Sequence, residues 1–231
     1  MKILKDKNVN ELFKLTANII FDDINELAKK QDKIVIGLVG GRSVVSLYKE
    51  LSKKDSPTWK KCHFFMIDER YVPIDNSESN YKLAKDTLLN PLLERNQIQE
   101  EYIHPLRTEL SGKEAAEDYS NQFNEFASKF DIAILSSGED GHIAAIYPNK
   151  ECNYVDTFEY IEDSPKPPSK RITATSKTLR SASKAYVLFL GEGKHEALKK
   201  FLNNKTNLNC PEETLRAIND LTIITDQIGV K

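Results

Sequence analysis

The chain has 231 residues, 39% of them hydrophobic and 29% charged, a balance that excludes a disordered chain and predicts one folded domain over residues 1–231. With 33 Lys plus Arg against 35 Asp plus Glu, the formal net charge is −2, so no overall field recommends nucleic acid or an anionic membrane as a partner. No apolar run approaches the ~18 residues of a membrane span, and the start MKILKDKNVNELFKL lacks the core of a signal peptide.

Residues 8–30 place Leu12, Phe13, Ile20, Ile24 and Leu27 at helical spacing, which predicts an amphipathic first helix. Lys33–Val39 (KIVIGLV) is a continuous apolar run, the mark of a strand covered on both faces. Gly40, Gly41, Arg42 and Ser43 follow, then a helix to about Leu51. A glycine turn between strand and helix allows close backbone approach, and the helix's opening amides suit a phosphate. His63–Ile67 reads as a second strand that ends in Asp68-Glu69-Arg70, then a loop from Asp75 to Asn80 and a helix to about Leu89 that Pro91 helps to close. A carboxylate there can position a hydroxyl, and a guanidinium can grip a phosphate.

A helix over about Lys113–Ser128 leads to a third buried strand, Phe130–Leu135, which ends in Ser136-Ser137-Gly138-Glu139-Asp140-Gly141-His142. An imidazole between glycines and an expected helix start can reach a substrate, with Asp140 near enough to orient it, and histidine titrates in the useful range. His63, His104 and His195 lack such surroundings and read as packing or surface residues. Further strands are predicted at Tyr154–Ile161, Arg171–Thr175, Ala185–Leu190 and Leu221–Thr225, with helices near 194–203 and 211–219. The segment Ser164–Ser169 (SPKPPS) is too short for an interdomain linker. Arg171, behind that stiff loop, and Lys194, at a helix start after Gly191-Glu192-Gly193, are candidate phosphate ligands. The alternation predicts an α/β fold, a largely parallel open sheet with helices on both faces, whose ligands sit outside the carboxyl ends of the strands. The three cysteines, Cys62, Cys152 and Cys210, odd in number and without CxxC spacing, argue against a disulfide framework or a cysteine zinc site and fit a reducing, cytoplasmic compartment.

Taken together, GlyGlyArgSer at 40–43, FMIDERYVPIDNSESNY at 65–81, SSGEDGHIAAIYP at 136–148 and DSPKPPSKRIT at 163–173 resemble the glucosamine/galactosamine-6-phosphate isomerase superfamily, and within it the 6-phosphogluconolactonase branch. Three positions depart from the branch's usual pattern: Ser136 stands for a glycine, Arg42 for a Ser or Thr, and Cys210-Pro211-Glu212-Glu213 for a Pro-x-Ser. The resemblance implies hydrolysis of 6-phospho-D-glucono-1,5-lactone in the oxidative pentose phosphate pathway. It implies His142 as general base oriented by Asp140, and phosphate held by Gly40, Gly41, Arg42 and Ser43 with Arg70, Arg171 and Lys194. Asp68 and Asn80 would read hydroxyls or brace the arginines, and the amides of the 138–142 turn would meet the oxyanion. No metal or organic cofactor, no nucleic acid and no membrane is implied, and the expected working unit is a monomer.

Two rival readings stand beside this one. An amino-sugar phosphate isomerase needs a ring-opening Glu five residues after the signature histidine, where this chain has Tyr147. A non-catalytic sugar-phosphate-binding domain would have no need of an intact Asp140-Gly141-His142.

Overall fold

The computed structural model describes residues 1–203, 206 and 208–229. In chain order the strands are β1 (Lys2–Lys5), β2 (Ile34–Leu38), β3 (Cys62–Met66), β4 (Asp68–Arg70), β5 (Ile103–His104), β6 (Ile132–Ser136), β7 (Phe158–Ile161), β8 (Arg171–Ala174), β9 (Lys184–Phe189) and β10 (Asp220–Thr225). The helices are α1 (Val9–Ala28), α2 (Val45–Ser52), α3 (Asn80–Ala84), α4 (Asn90–Glu94), α5 (Gly112–Phe126), α6 (Ser176–Arg180), α7 (His195–Asn203) and α8 (Cys210–Ala217).

Seven strands form one parallel sheet in the order β1-β10-β9-β6-β2-β3-β5, with helices packed around it. The apolar runs dictate this: Ile34, Val35, Ile36 and Leu38 of β2 are each at most 3% exposed, and each such side chain buried contributes about 1.5–3 kcal/mol. From β2 the chain adds β3 and β5 on one side, then returns to place β6 on the other. The order therefore reverses between β2 and β6, and a crevice opens there at the strands' carboxyl ends.

β7 and β8 do not join this sheet. They pair antiparallel with each other and with β4 in a small sheet of order β4-β8-β7. So Asp68-Glu69-Arg70, expected as the end of the second strand, is a separate strand of the small sheet; the expected strand at Tyr154–Ile161 begins only at Phe158, because Asn153 folds the preceding segment into a turn by accepting from the amides of Val155 and Asp156.

Pro91 does not close the helix that begins at Asn80. The helical run continues to Glu94 through a π turn at Lys85–Leu89, where the amide of Asn90 reaches back to the Lys85 carbonyl. This wider turn reroutes the hydrogen-bond ladder just ahead of the residue that cannot donate.

The cysteine reading is also corrected. Cys152 and Cys210 are bonded, their Cα atoms 5.3 Å apart, and Cys62 is the buried free thiol. The loop beyond β6 meets the first residue of α8 across 58 residues of sequence, a proximity that no local spacing signals. The cysteines thus lend no support to a reducing compartment.

Candidate active site

The crevice at the β2/β6 reversal is a cleft of about 780 Å³. Gly40, Gly41, Arg42, Ser43, Asp68, Arg70, Asn80, His142, Arg171 and Lys194 all line it, and Asp140 stands behind His142. Residues separated by up to about 150 positions in sequence meet because β2, β6 and β9 end on the same edge of the sheet.

Two matched turns flank the cleft. After β2 the chain passes Gly41 (φ 98°) into a 3-10 turn at Arg42–Val44 and then α2; after β9 it passes Gly191 (φ 87°) into a 3-10 turn at Glu192–Lys194 and then α7. The positive φ at each glycine tips the following helix so that its first turn faces the cleft. Gly191 donates its amide to both Asp226 oxygens, at 3.0 and 3.1 Å. Lys194 Nζ donates to the Ser137 carbonyl. Burial pushes the Lys194 ammonium below its ordinary range, against the pull of Glu139 and Asp140.

His142 is set by a tight turn closed by Gly138 N donating to His142 O at 2.7 Å and Gly141 N to Gly138 O at 3.1 Å. A Cβ at Gly138 would lie 2.1 Å from the imidazole, so the close ring-to-backbone approach requires glycine there. Ser136, where the pattern usually has the other glycine, ends β6 and lines the cleft without entering that contact. No helix starts at His142; Ile143 and Ile146 instead bridge to each other, closing a compact bend.

Nδ1 of His142 faces Asp140 Oδ1 at 2.5 Å, which fixes the tautomer with the proton on Nδ1 and leaves Nε2 as the free base. The ring packs on Tyr147, 4.8 Å between centroids, and the Tyr147 hydroxyl pairs with Ser164 Oγ at 2.7 Å. Burial lowers the His142 pKa, with Asp140 opposing it, so the imidazole is neutral at neutral pH. Burial alone would raise Asp140, but the charge and hydrogen bonds of His142 hold it below its ordinary value.

Across the cleft the β4/β8 register sets Arg70 opposite Arg171 and Asp68 opposite Thr173. Asp68 Oδ2 stands 3.8 Å from Arg171 Nη1, both side chains only 6% exposed, and offsets the repulsion between the two guanidiniums. Asn80 Nδ2 donates to the Asp68 carbonyl at 2.9 Å and to Oδ2 at 3.2 Å, so Asn80 braces the acid that braces Arg171. The Nε atoms of Arg70 and Arg171 and the Oδ1 of Asn80 are buried without partners, polar atoms that can receive a ligand.

Sequence reasoning missed the part played by Glu69, although it named the triplet. Its buried carboxylate accepts from the amides of Arg70, Asn80 and Tyr81, each at 2.7 Å, and from Ser79 Oγ at 3.0 Å. It clamps both ends of the 71–78 loop and thereby the positions of Arg70 and Asn80. Burial pushes its pKa up to about 7 against the pull of the three amides. Lys166, from the SPKPPS segment, was also missed as a lining residue. Among the described residues no group of three or more His, Cys, Asp or Glu is placed to hold a metal ion, and no helix is long and apolar enough to cross a membrane.

A parallel α/β sheet whose switch point carries a cation-lined cleft and an Asp–His pair defines a hydrolase or isomerase acting on a small anionic substrate. Residues 7–223 match the family described as glucosamine-6-phosphate isomerases/6-phosphogluconolactonase, and the chain belongs to that family. It is 34% identical over 210 residues to a 6-phosphogluconolactonase of Borreliella burgdorferi, covering 89% of each chain. It is 34% identical over 173 residues to that of Thermotoga maritima, covering 75% of this chain and 76% of the relative. The crystal structure of the Thermotoga maritima 6-phosphogluconolactonase superposes with a TM-score of 0.81 at 29% identity, covering 96% of both chains.

Proposed function

We propose that the cleft hydrolyses 6-phospho-D-glucono-1,5-lactone to 6-phosphogluconate, a step of the oxidative pentose phosphate pathway, with His142 as general base. The observation that carries the mechanism is the Asp140–His142 pair, with Nδ1 engaged and Nε2 left for a water in the cleft. Nε2 takes a proton as the water oxygen bonds to C1, and the carbonyl pair moves onto oxygen. The tetrahedral intermediate then collapses, the C1–ring-oxygen bond breaks, and the imidazolium returns its proton to the departing oxygen. The resulting carboxylic acid ionises to solvent. A six-membered lactone is already reactive, so orientation plus one base is enough and no covalent intermediate is needed.

The phosphate falls to the Gly40–Ser43 turn with Arg42, Lys194 and the Arg70/Arg171 pair, which together supply a dipole end and more than one cation. Asp68 and Asn80 hold that pair rather than compete for the phosphate. Against the isomerase reading, Tyr147 occupies the acid's position, is 1% exposed and spends its hydroxyl on Ser164. Every group invoked comes from one chain, which supports the reading of a monomer acting as one domain over residues 1–231. The cytoplasm is the fitting compartment, because a phosphorylated sugar does not cross a membrane unaided.

The test offers the protein two substrates: the lactone, made in place from glucose 6-phosphate by its dehydrogenase, and glucosamine 6-phosphate. The reading requires ring opening well above the spontaneous rate and no release of ammonia. Ammonia release would establish the isomerase, and binding of 6-phosphogluconate without either turnover would establish a binding domain.

A further inference from the structure

The oxyanion formed at C1 needs a donor, and three of the five amides in the turn that carries His142 are already engaged. The amides of Gly138, Gly141 and His142 donate to His142 O, Gly138 O and Asp140 Oδ1, so they are spent on holding the turn itself. The amides of Glu139 and Asp140 are not so engaged, so the expectation that the turn meets the oxyanion is confined to those two. The cations of the cleft divide in the same way. Arg70 Nη1 donates to Glu78 O at 2.7 Å, Arg171 pairs with Asp68, and Lys194 Nζ donates to Ser137 O. Among the described residues Arg42 and Lys166 are the cations that line the cleft without a side-chain hydrogen bond or ion pair, and Arg42 belongs to the phosphate turn.

We infer that Lys166 is the cationic donor to the reacting end of the substrate: its ammonium stabilises the charge that develops on the lactone carbonyl oxygen and then holds the product's carboxylate. This rests on the lactonase reading. Three features of the fold support it. The Lys166 backbone is fastened, with its carbonyl accepting from Ser164 Oγ at 3.2 Å and Arg171 Nη2 at 3.4 Å and its amide donating to Ser164 Oγ at 3.4 Å. Ser164 in turn pairs with Tyr147, the ring on which His142 rests, so one buried hydroxyl pair fixes the base and the loop bearing the ammonium in a common frame. Lys166 also lines the same cleft as His142 and Lys194, so its side chain borders the space that the substrate fills. An exposed stem with a fixed backbone can swing its head onto the oxygen without disturbing the core.

In the step itself no proton leaves Lys166. As water adds, the carbonyl electron pair moves to oxygen and is met by an N–H of the ammonium. When the C1–ring-oxygen bond breaks, that pair returns to re-form the carbonyl, His142 protonates the leaving oxygen, and the new carboxylate remains paired with Lys166 until release.

Lys166→Ala and Lys166→Arg test this, because the side chain is exposed and its removal leaves the fold intact. Lys166→Ala is expected to lower kcat on the order of 10²-fold with KM changed less than about threefold, the pattern of a contact made in the transition state, and Lys166→Arg to restore part of the loss. Binding is read in parallel with 6-phosphogluconate, which has the carboxylate, and glucose 6-phosphate, which lacks it. The alanine variant should lose affinity for the first and keep it for the second. Equal loss for both would make Lys166 a phosphate ligand and overturn the inference, as would an unchanged kcat. Should the wild type fail to open the lactone, the lactonase reading falls, while the two binding measurements still show whether Lys166 reads a carboxylate.

Discussion

Replacing Glu69 by Gln or Ala tests how the cleft is held open. At pH 8, above the value of about 7 to which burial pushes this group, the carboxylate is ionised and receives four donors. Alanine leaves three amides and one hydroxyl unsatisfied in a site where Glu69 is 2% exposed. At roughly 1 kcal/mol each, the low end for buried unsatisfied groups, the loss is about 4 kcal/mol, a large part of a typical stability of 5–15 kcal/mol. Glutamine keeps the shape and one acceptor oxygen. If that oxygen stays on Arg70 and Asn80, its NH2 faces the Tyr81 amide, two donors together, while Ser79 can turn its hydroxyl to accept. One lost amide bond costs about 1–3 kcal/mol. With a urea slope near 2–3 kcal/mol per molar, a 2 kcal/mol loss lowers the midpoint by roughly 0.7–1 M. Because Glu69 ties Arg70 and Asn80 into the cleft, KM of the glutamine variant should rise more than kcat falls. A variant with wild-type midpoint and wild-type KM would refute the clamp.

Gly138→Ala should fold yet lose on the order of 10²-fold in kcat, since the new Cβ would lie 2.1 Å from the His142 ring and must displace it; circular dichroism and steady-state rates check this. His63 and His104, whose rings meet at 3.1 Å, are both held down to about 4, mainly by burial. Their folded pKa lies below the unfolded value of 6.5, so the unfolded chain binds more protons between those values, and stability is lost as pH falls from about 6.5 to 4. Urea midpoints at pH 5 and 7 should differ less in His63→Gln than in wild type. Opening the Cys152–Cys210 bond, which spans 58 residues, should cost about 2–4 kcal/mol, so a reductant lowers the melting temperature of wild type and not of Cys152→Ser.

The buried strands at β2, β3 and β6 and the helices α1, α2, α5, α7 and α8 were legible because each carries its own hydrophobic period over enough residues. β1, β4 and β5 were not, since strands of two to four residues carry no such signal. That β7 and β8 leave the main sheet is decided by pairing with β4, an interaction between distant segments. The site was legible to a greater extent, because Gly40–Ser43, Asp68–Arg70 and Asp140–His142 each follow a recognisable strand and the switch-point rule brings strand ends together. Glu69 was hidden because its role lies in four bonds made across a loop. Lys166 was hidden because an exposed lysine among prolines looks like any solvated charge. The disulfide was hidden because cysteine spacing says nothing about which loops a sheet folds together.

The proposed mechanism stands or falls on His142 as the base that activates water for ring opening. The measurement is the enzyme-dependent rate of 6-phosphogluconolactone hydrolysis, background subtracted, for wild type and His142→Ala, with 6-phosphogluconate affinity determined for both. The alanine variant is expected to bind 6-phosphogluconate as wild type does and to open the lactone no faster than buffer. A variant that retains wild-type turnover would contradict it.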